Sequence, residues 1–261
     1  MAALGEDHFI LGSKITAITA EQLQRRILGI VRDNRRELIL NVNVYGLNLA
    51  YEERWLRDFR NSAHIVYCDG AGVVLAARLL GRGLPGRITM ADWIWPLASY
   101  CARNDLSIFF LGAAPGRAEM SAQLLRARYP KLRIVGTHHG YFEKEGPECD
   151  RVIEMINDLR PNLLLVGFGM PLQERWLMQN YSRIHANALF AQGAIFDFIS
   201  GAVRRCPEWM GSMGLEWLFR FYLEPKRMFR RYIVGNPLFL YRVLAARVRA
   251  PSFGRKAIGT D

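Results

Sequence analysis

Asp69 is the residue whose type and setting point most directly to chemistry. It ends the apolar run AHIVYCD (63–69) and opens the segment Asp69-Gly70-Ala71-Gly72. A carboxylate at the end of a buried strand can serve as a general base toward a ligand hydroxyl. The same position can instead cap the following helix, and the sequence leaves both readings open. A second group is Arg220, Arg227 and Arg230, spaced seven and three apart. On one continuous helix these would share a face, although Pro225 bends it. Trp217, Phe221, Tyr222, Met228, Phe229 and Tyr232 lie among them. Such a segment suits a membrane interface, with rings in the headgroup zone and arginines on anionic lipid. It also suits a helix docked on a core with solvated arginines. Nucleic-acid binding is not expected, because no recognised motif supports it.

Several common chemistries are excluded. There is no GxxxxGK[ST], and GFGMPLQE (167–174) lacks the third glycine of a dinucleotide fingerprint. Gly70, Gly112 and Gly167 read first as turn glycines, although helix-start N–H groups can still hold a phosphate. His138 and His139 are adjacent, and neighbours on an extended segment point to opposite sides. No acidic residue stands near them at metal-ligand spacing, so no metal is expected, and no cofactor is implied. No DxD occurs. A nucleotide diphosphate would therefore need arginines or helix N-termini to neutralise it. The four cysteines are scattered and form no CxxC pair, which fits a reducing compartment.

The elements that must position these residues follow from hydrophobic patterning. Apolar runs at 37–43, 63–69, 106–112, 132–137, 162–169 and 186–193 alternate with amphipathic stretches. This predicts βαβ units: an α/β, Rossmann-like, mostly parallel sheet with helices on both faces. Ligands in such folds sit outside the carboxyl ends of the strands. Those ends carry Asn41 and Asn43, Asp69 and Gly70, Gly112, Gly167, and Gln192 with Gly193. From Arg205 the pattern turns aromatic and basic, predicting two or three short helices punctuated by Pro207, Pro225 and Pro237. The expected organisation is an α/β catalytic domain over 1–203, a helical appendage over 204–250 and a frayed tail over 251–261. Residues 204–261 hold 12 Lys and Arg against 4 Asp and Glu, whereas the first 203 hold 23 against 20. A surplus of eight against three directs an anionic partner to the tail. The N-terminus lacks a signal-peptide pattern, and no uncharged apolar run is long enough to span a bilayer.

Ordered blocks then carry a resemblance: NVN (41–43), YCDGAGVVLAARLLG (67–81), RITMADWIWPL (87–97), FLGAAPG (110–116), GTHHGYF (136–142), GFGMPLQERW (167–176), FDFISGAVRRCP (196–207) and GLEWLFRFYLEPKRMFRRY (214–232). Over about residues 38–235 the chain resembles the WecG/TagA/CpsF family of bacterial glycosyltransferases. The resemblance implies an inverting hexosyltransferase. It would move a hexose or N-acetylhexosamine from a UDP-sugar to a polyprenyl-diphosphate-linked saccharide in surface polysaccharide or exopolysaccharide assembly. It implies a peripheral enzyme at the cytoplasmic face of the inner membrane, whose appendage meets an anionic surface and completes the site. Self-association into a homo-oligomer is left open. Asp69 would be the base, and Arg220, Arg227 and Arg230 the diphosphate ligands. Gln173 would be a nucleotide contact. Donor and acceptor contacts would come from Asn41, Asn43, Gly70, Asp92, Gly112, Gly167, Gln192 and Gly193. Asn41 stands where the family often has threonine, and Ala191-Gln192-Gly193-Ala194 replaces its glycine-rich turn, so donor choice is where this chain departs. A nucleotide-binding oxidoreductase and a non-catalytic membrane-associated module are the competing classes.

Overall fold

The computed structural model describes residues 5–249; the tail expected at 251–261 lies outside the described residues. The six predicted strands are all present: β3 (Glu37–Val42), β4 (Ile65–Cys68), β5 (Ser107–Gly112), β6 (Arg133–His138), β7 (Leu163–Gly167) and β8 (Ala188–Ala191). They form one parallel sheet in the order β4-β3-β8-β7-β5-β6. Ahead of them β1 (Asp7–Ile10) and β2 (Ser13–Thr16) pair as an antiparallel hairpin. The hairpin was not foreseen: its two-residue loop, Leu11-Gly12, is not one of the strong hairpin dipeptides.

Strand residues alternate between two cores, as the two-residue period requires. Leu38, Leu40, Val166 and Leu189 face one core. Ile39, Tyr67, Leu165 and Phe190 face the other. Both faces are covered, which is why the central strands read as unbroken apolar runs. The helix Ala20–Arg32 shows how one layer is built. Leu23, Ile27 and Ile30 recur at helical spacing and are buried. Thr19 and Gln22 close a capping box at its start. Fully burying each such side chain contributes about 1.5–3 kcal/mol.

The connections β3→β4 and β5→β6 step in opposite directions, and β7 and β8 return to fill the middle. That reversal opens a crevice at the carboxyl ends of the central strands. The helical stretch after β3 is two helices, Val44–Glu52 and Arg54–Ser62, broken at the extended residue Glu53.

The C-terminal segment has more helical elements than the two or three predicted. It comprises helices Glu208–Ser212, Glu216–Leu223 and Pro225–Met228, a π-helical stretch Phe229–Val234, and the helix Gly235–Arg249. Pro225 occupies a first helical position, where its missing N–H costs nothing. Pro237 does not punctuate a helix; it lies in the first turn of the last one for the same reason. That last helix seats Phe239 and Val243 in the core beside Leu47, Val73 and Ala76. Asn48 donates to the Gly235 carbonyl at 2.8 Å, and Arg242 reaches Asn48 and Glu52. The tail is thus both a docked element and the carrier of an exposed apolar surface, including Met213, Leu218, Tyr222, Phe229 and Tyr241.

Candidate active site

A cavity of about 940 Å³ opens at the carboxyl ends of the strands. One wall comes from strand ends: Asn41, Asn43, Asp69, Gly70, Gln192 and Gly193. The opposite wall is the C-terminal segment, which contributes Glu216, Arg220, Arg227, Arg230 and Arg231. A second cavity of about 1030 Å³ lies beyond β7 and β5, with Arg117, Tyr141, Lys144 and Asp197 on its walls. Gly169, Gly193, Ala194 and Arg227 line both cavities.

Asp69 is held by its backbone N–H, which donates to the Val42 carbonyl at 2.8 Å. The next helix, Ala71–Leu79, takes Gly70 as its N-cap and receives no side-chain cap bond. The Asp69 carboxyl is therefore not spent on a helix start and is recessed in the cavity instead. Burial raises its pKa to about 7, and Glu216 across the cavity adds to the rise. Arg231, a hydrogen bond from Asn43, and Arg87 oppose it. A carboxylate poised near neutrality is well matched to proton abstraction at neutral pH. Asn43 has two tasks: it hydrogen-bonds Asp69 and caps the helix Val44–Glu52, accepting from the Gly46 N–H at 3.0 Å.

Beside Asp69, three buried polar side chains meet. Tyr67 donates to Gln192 Oε1 at 3.2 Å, and Asn41 also hydrogen-bonds Tyr67. Asn41 Oδ1 and Gln192 Nε2 have no protein partner although both residues are almost wholly buried. Buried polar atoms of this kind are costly unless something pairs with them. Both residues line the cavity, which makes them ready partners for a polar ligand.

The arginines converge, but not on one helical face. Arg220 belongs to Glu216–Leu223, Arg227 to Pro225–Met228 and Arg230 to the π-helical stretch. Arg220 stacks over Phe198 at 4.9 Å, and burial pulls its pKa down. Arg227 pairs with Glu224 at 3.0 Å. Two further cations were missed by sequence reasoning. Arg231 stacks over Tyr45 at 4.7 Å, and Arg87 donates to the Gly211 carbonyl. Arg231 adjoins Arg230 and Arg87 opens the RITMADWIWPL block, so their positions were visible and their convergence was not.

Three expected contact residues lie off both cavity walls, and one histidine pair is arranged differently from its expectation. Asp92 does not line either cavity. It pairs with Arg205, which also holds Glu216 at 2.6 Å, so it fastens the tail to the body. Gln173 is fully buried and engaged on both sides of its amide, and it lines neither cavity. Gly112 also lines neither; it permits a close approach, since a Cβ there would collide with the Gly167 carbonyl. His138 and His139 do not point apart: their ring centroids are 4.4 Å apart, and His138 Nδ1 meets the His139 carbonyl at 2.8 Å. Gly167 lines the second cavity. Among the described residues no cluster of three His, Cys, Asp or Glu is placed to hold a metal ion.

A six-stranded parallel sheet with its crevice at the strand ends, and a carboxylate facing cations across it, defines an α/β protein of Rossmann-like class. Residues 8–252 match the Glycosyl transferase WecG/TagA/CpsF family, and the chain belongs to that family. Among its relatives are N-acetylglucosaminyldiphosphoundecaprenol N-acetyl-beta-D-mannosaminyltransferases of Staphylococcus aureus strains NCTC 8325 / PS 47 and COL. Each is 27% identical over 209 residues, covering 80% of this chain and 80% of the relative.

Proposed function

We propose that this chain transfers a hexose or N-acetylhexosamine from a UDP-sugar to a polyprenyl-diphosphate-linked saccharide. The observation that carries the reading is the juxtaposition of Asp69 with Arg220, Arg227 and Arg230 in one cavity. The acceptor hydroxyl attacks the anomeric carbon and gives its proton to Asp69. The bond from that carbon to the β-phosphate oxygen breaks, and UDP leaves with the electron pair. A single displacement from the opposite face inverts the anomeric centre. The arginines stabilise charge that grows on the departing diphosphate. The diphosphate fits where the two cavities meet, at Gly169, Gly193 and Arg227, with the nucleoside in the second cavity. Asn41 and Gln192, with their unpartnered atoms, are suited to the transferred sugar.

The direct test is transfer from radiolabelled UDP-hexoses and UDP-N-acetylhexosamines to a synthetic polyprenyl-diphosphate sugar. Product is expected with at least one donor, and failure with all of them overturns the reading. Because cationic side chains take the place of a metal, product should still form in excess EDTA. Activity lost to EDTA and restored by magnesium or manganese would show a ligand set outside this account.

Residues 204–250 serve in this reading as an appendage that completes the site and meets the membrane. No helix among the described residues is long and apolar enough to cross a bilayer, and this reading places the chain peripherally at the cytoplasmic face. Basic side chains near an anionic leaflet contribute about 1 kcal/mol each, and the exposed Tyr222, Phe229 and Tyr241 add apolar contact. The protein should sediment with vesicles containing anionic lipid more than with neutral ones. Salt at 1 M shortens the Debye length to about 3 Å, so release should be partial. Equal sedimentation with both vesicle types would remove the electrostatic part of this role.

A further inference from the structure

Behind the cavity wall, and outside it, lies a set of buried polar groups. Gln173 Oε1 accepts from the Gly169 N–H at 3.2 Å and the Gly193 N–H at 2.8 Å. These two glycines follow β7 and β8, and both line both cavities. One side-chain oxygen therefore ties together the two strand-end loops between which the proposed diphosphate lies. Gln173 Nε2 donates to Glu174 Oε1 at 3.1 Å, which orients the amide so that its oxygen faces the loops. Glu174 and Arg60 are both buried; burial raises the Glu174 pKa and lowers that of Arg60, and their attraction across the interior opposes both shifts, although no ion pair joins them. Arg60 Nη1 donates to the Gly46 carbonyl at 2.8 Å. Gly46 is so close that a Cβ there would meet both Arg60 terminal nitrogens, at 3.1 and 3.2 Å. The Gly46 N–H is the one that Asn43 accepts, and Asn43 holds Asp69.

We infer that Gln173, Glu174 and Arg60 are positioning residues, a buried strut that sets the Gly169 and Gly193 loops for the donor diphosphate and steadies the helix start beneath Asp69. None of the three lines either cavity, so they act through the groups they hold. A buried charge pair is an expensive way to stabilise a fold, and apolar replacements are often as good. What these groups impose is geometry: the Gln173 amide, oriented by Glu174, sets the two loops. Glu174 Oε2 and Arg60 Nε and Nη2 have no hydrogen-bond partner in the protein. Removing one member of the pair therefore leaves the other charge exposed to a low-dielectric interior.

This inference rests on the UDP-sugar reading above, and the test separates the two. UDP binding to the full chain is measured by titration calorimetry for wild type, Gln173→Met, Glu174→Gln, Arg60→Met and the Glu174→Gln/Arg60→Met pair, well below each melting temperature. Gln173→Met keeps the volume and removes both loop bonds. It is expected to weaken UDP binding by about tenfold or more and to raise the donor KM more than it lowers kcat. Glu174→Gln keeps an acceptor for Gln173 and removes the charge. Each charge variant alone is expected to weaken UDP binding, and the pair should lose less than the sum of the singles. Folded Gln173→Met that binds UDP as wild type does overturns the strut. If that variant does not fold, additivity of the two charge variants overturns it instead. Wild type that does not bind UDP overturns the donor reading and leaves the strut to amide exchange. The Gly169 and Gly193 N–H groups should exchange slowly in wild type and faster in Gln173→Met, and unchanged exchange overturns the strut by itself.

Discussion

Asp69→Asn is expected to lower turnover by about 10²–10⁴-fold, the usual cost of losing a positioned general base. The substitution keeps the shape of the side chain and its capacity to accept a hydrogen bond, so substrate binding should change little. The wild-type rate should rise with pH through about 7, because the base acts only when ionised and burial with Glu216 holds its pKa there. Glu216→Gln removes one cause of that rise, so the same limb should move to lower pH. Stability should follow the opposite sense. A carboxyl whose folded pKa is raised binds a proton more tightly in the folded state than in the unfolded one. Wild type therefore loses stability as pH climbs from the ordinary aspartate value of 3.8 to about 7. Asp69→Asn removes that loss and should melt no lower than wild type at pH 8. Normal turnover in a folded Asp69→Asn variant would refute the base assignment, and a pH-independent wild-type rate across neutrality would refute the proton-affinity argument.

Replacing Arg220, Arg227 and Arg230 together by Gln is expected to reduce kcat/KM by about 10³-fold or more. Hydrogen bonds to charged groups contribute about 1.5–3 kcal/mol each, and three at the low end already exceed about 4 kcal/mol, or about three decades in rate. UDP affinity should fall in parallel, because the leaving diphosphate is present in the product as well. Vesicle binding should be largely kept, since the aromatic surface and other cations of the tail remain. The opposite pattern, lost vesicle binding with transfer retained on detergent-dispersed acceptor, would assign these arginines to lipid. Transfer and vesicle binding both at wild-type level would leave these arginines neither role. These substitutions are preferable to deleting the tail. Met228, Phe239 and Val243 are buried, so deletion strips the core around Leu47 and Val73 and confounds chemistry with folding.

What could be read in the sequence was what local pattern decides. The central strands are buried on both faces and so read as apolar runs, and with the two shorter or more polar edge runs they declared six strands. A parallel sheet presents its ligand crevice at the strand ends, so Asn41, Asn43, Asp69 and Gln192 could be singled out from position alone. The absence of DxD together with the basic tail pointed to cationic side chains for an anionic group. Tertiary structure decided what depends on residues far apart in the chain. Arg220, Arg227 and Arg230 share a cavity although they sit on three helical segments, because the chain leaves helical geometry at Glu224 and passes from α to π winding at Phe229. Asp92 looked available to a ligand until Arg205, 113 residues away, was seen to hold it. Gln173 was expected to be a nucleotide contact only through the family resemblance. Its burial against Gly193, Glu174 and the neighbourhood of Arg60 is a packing outcome that no local spacing encodes. Asp69 itself divides between the two sources. Its type and place in the strand were legible, whereas its proton affinity comes from burial and from Glu216, Arg231 and Arg87, charges that only the folded chain brings around it.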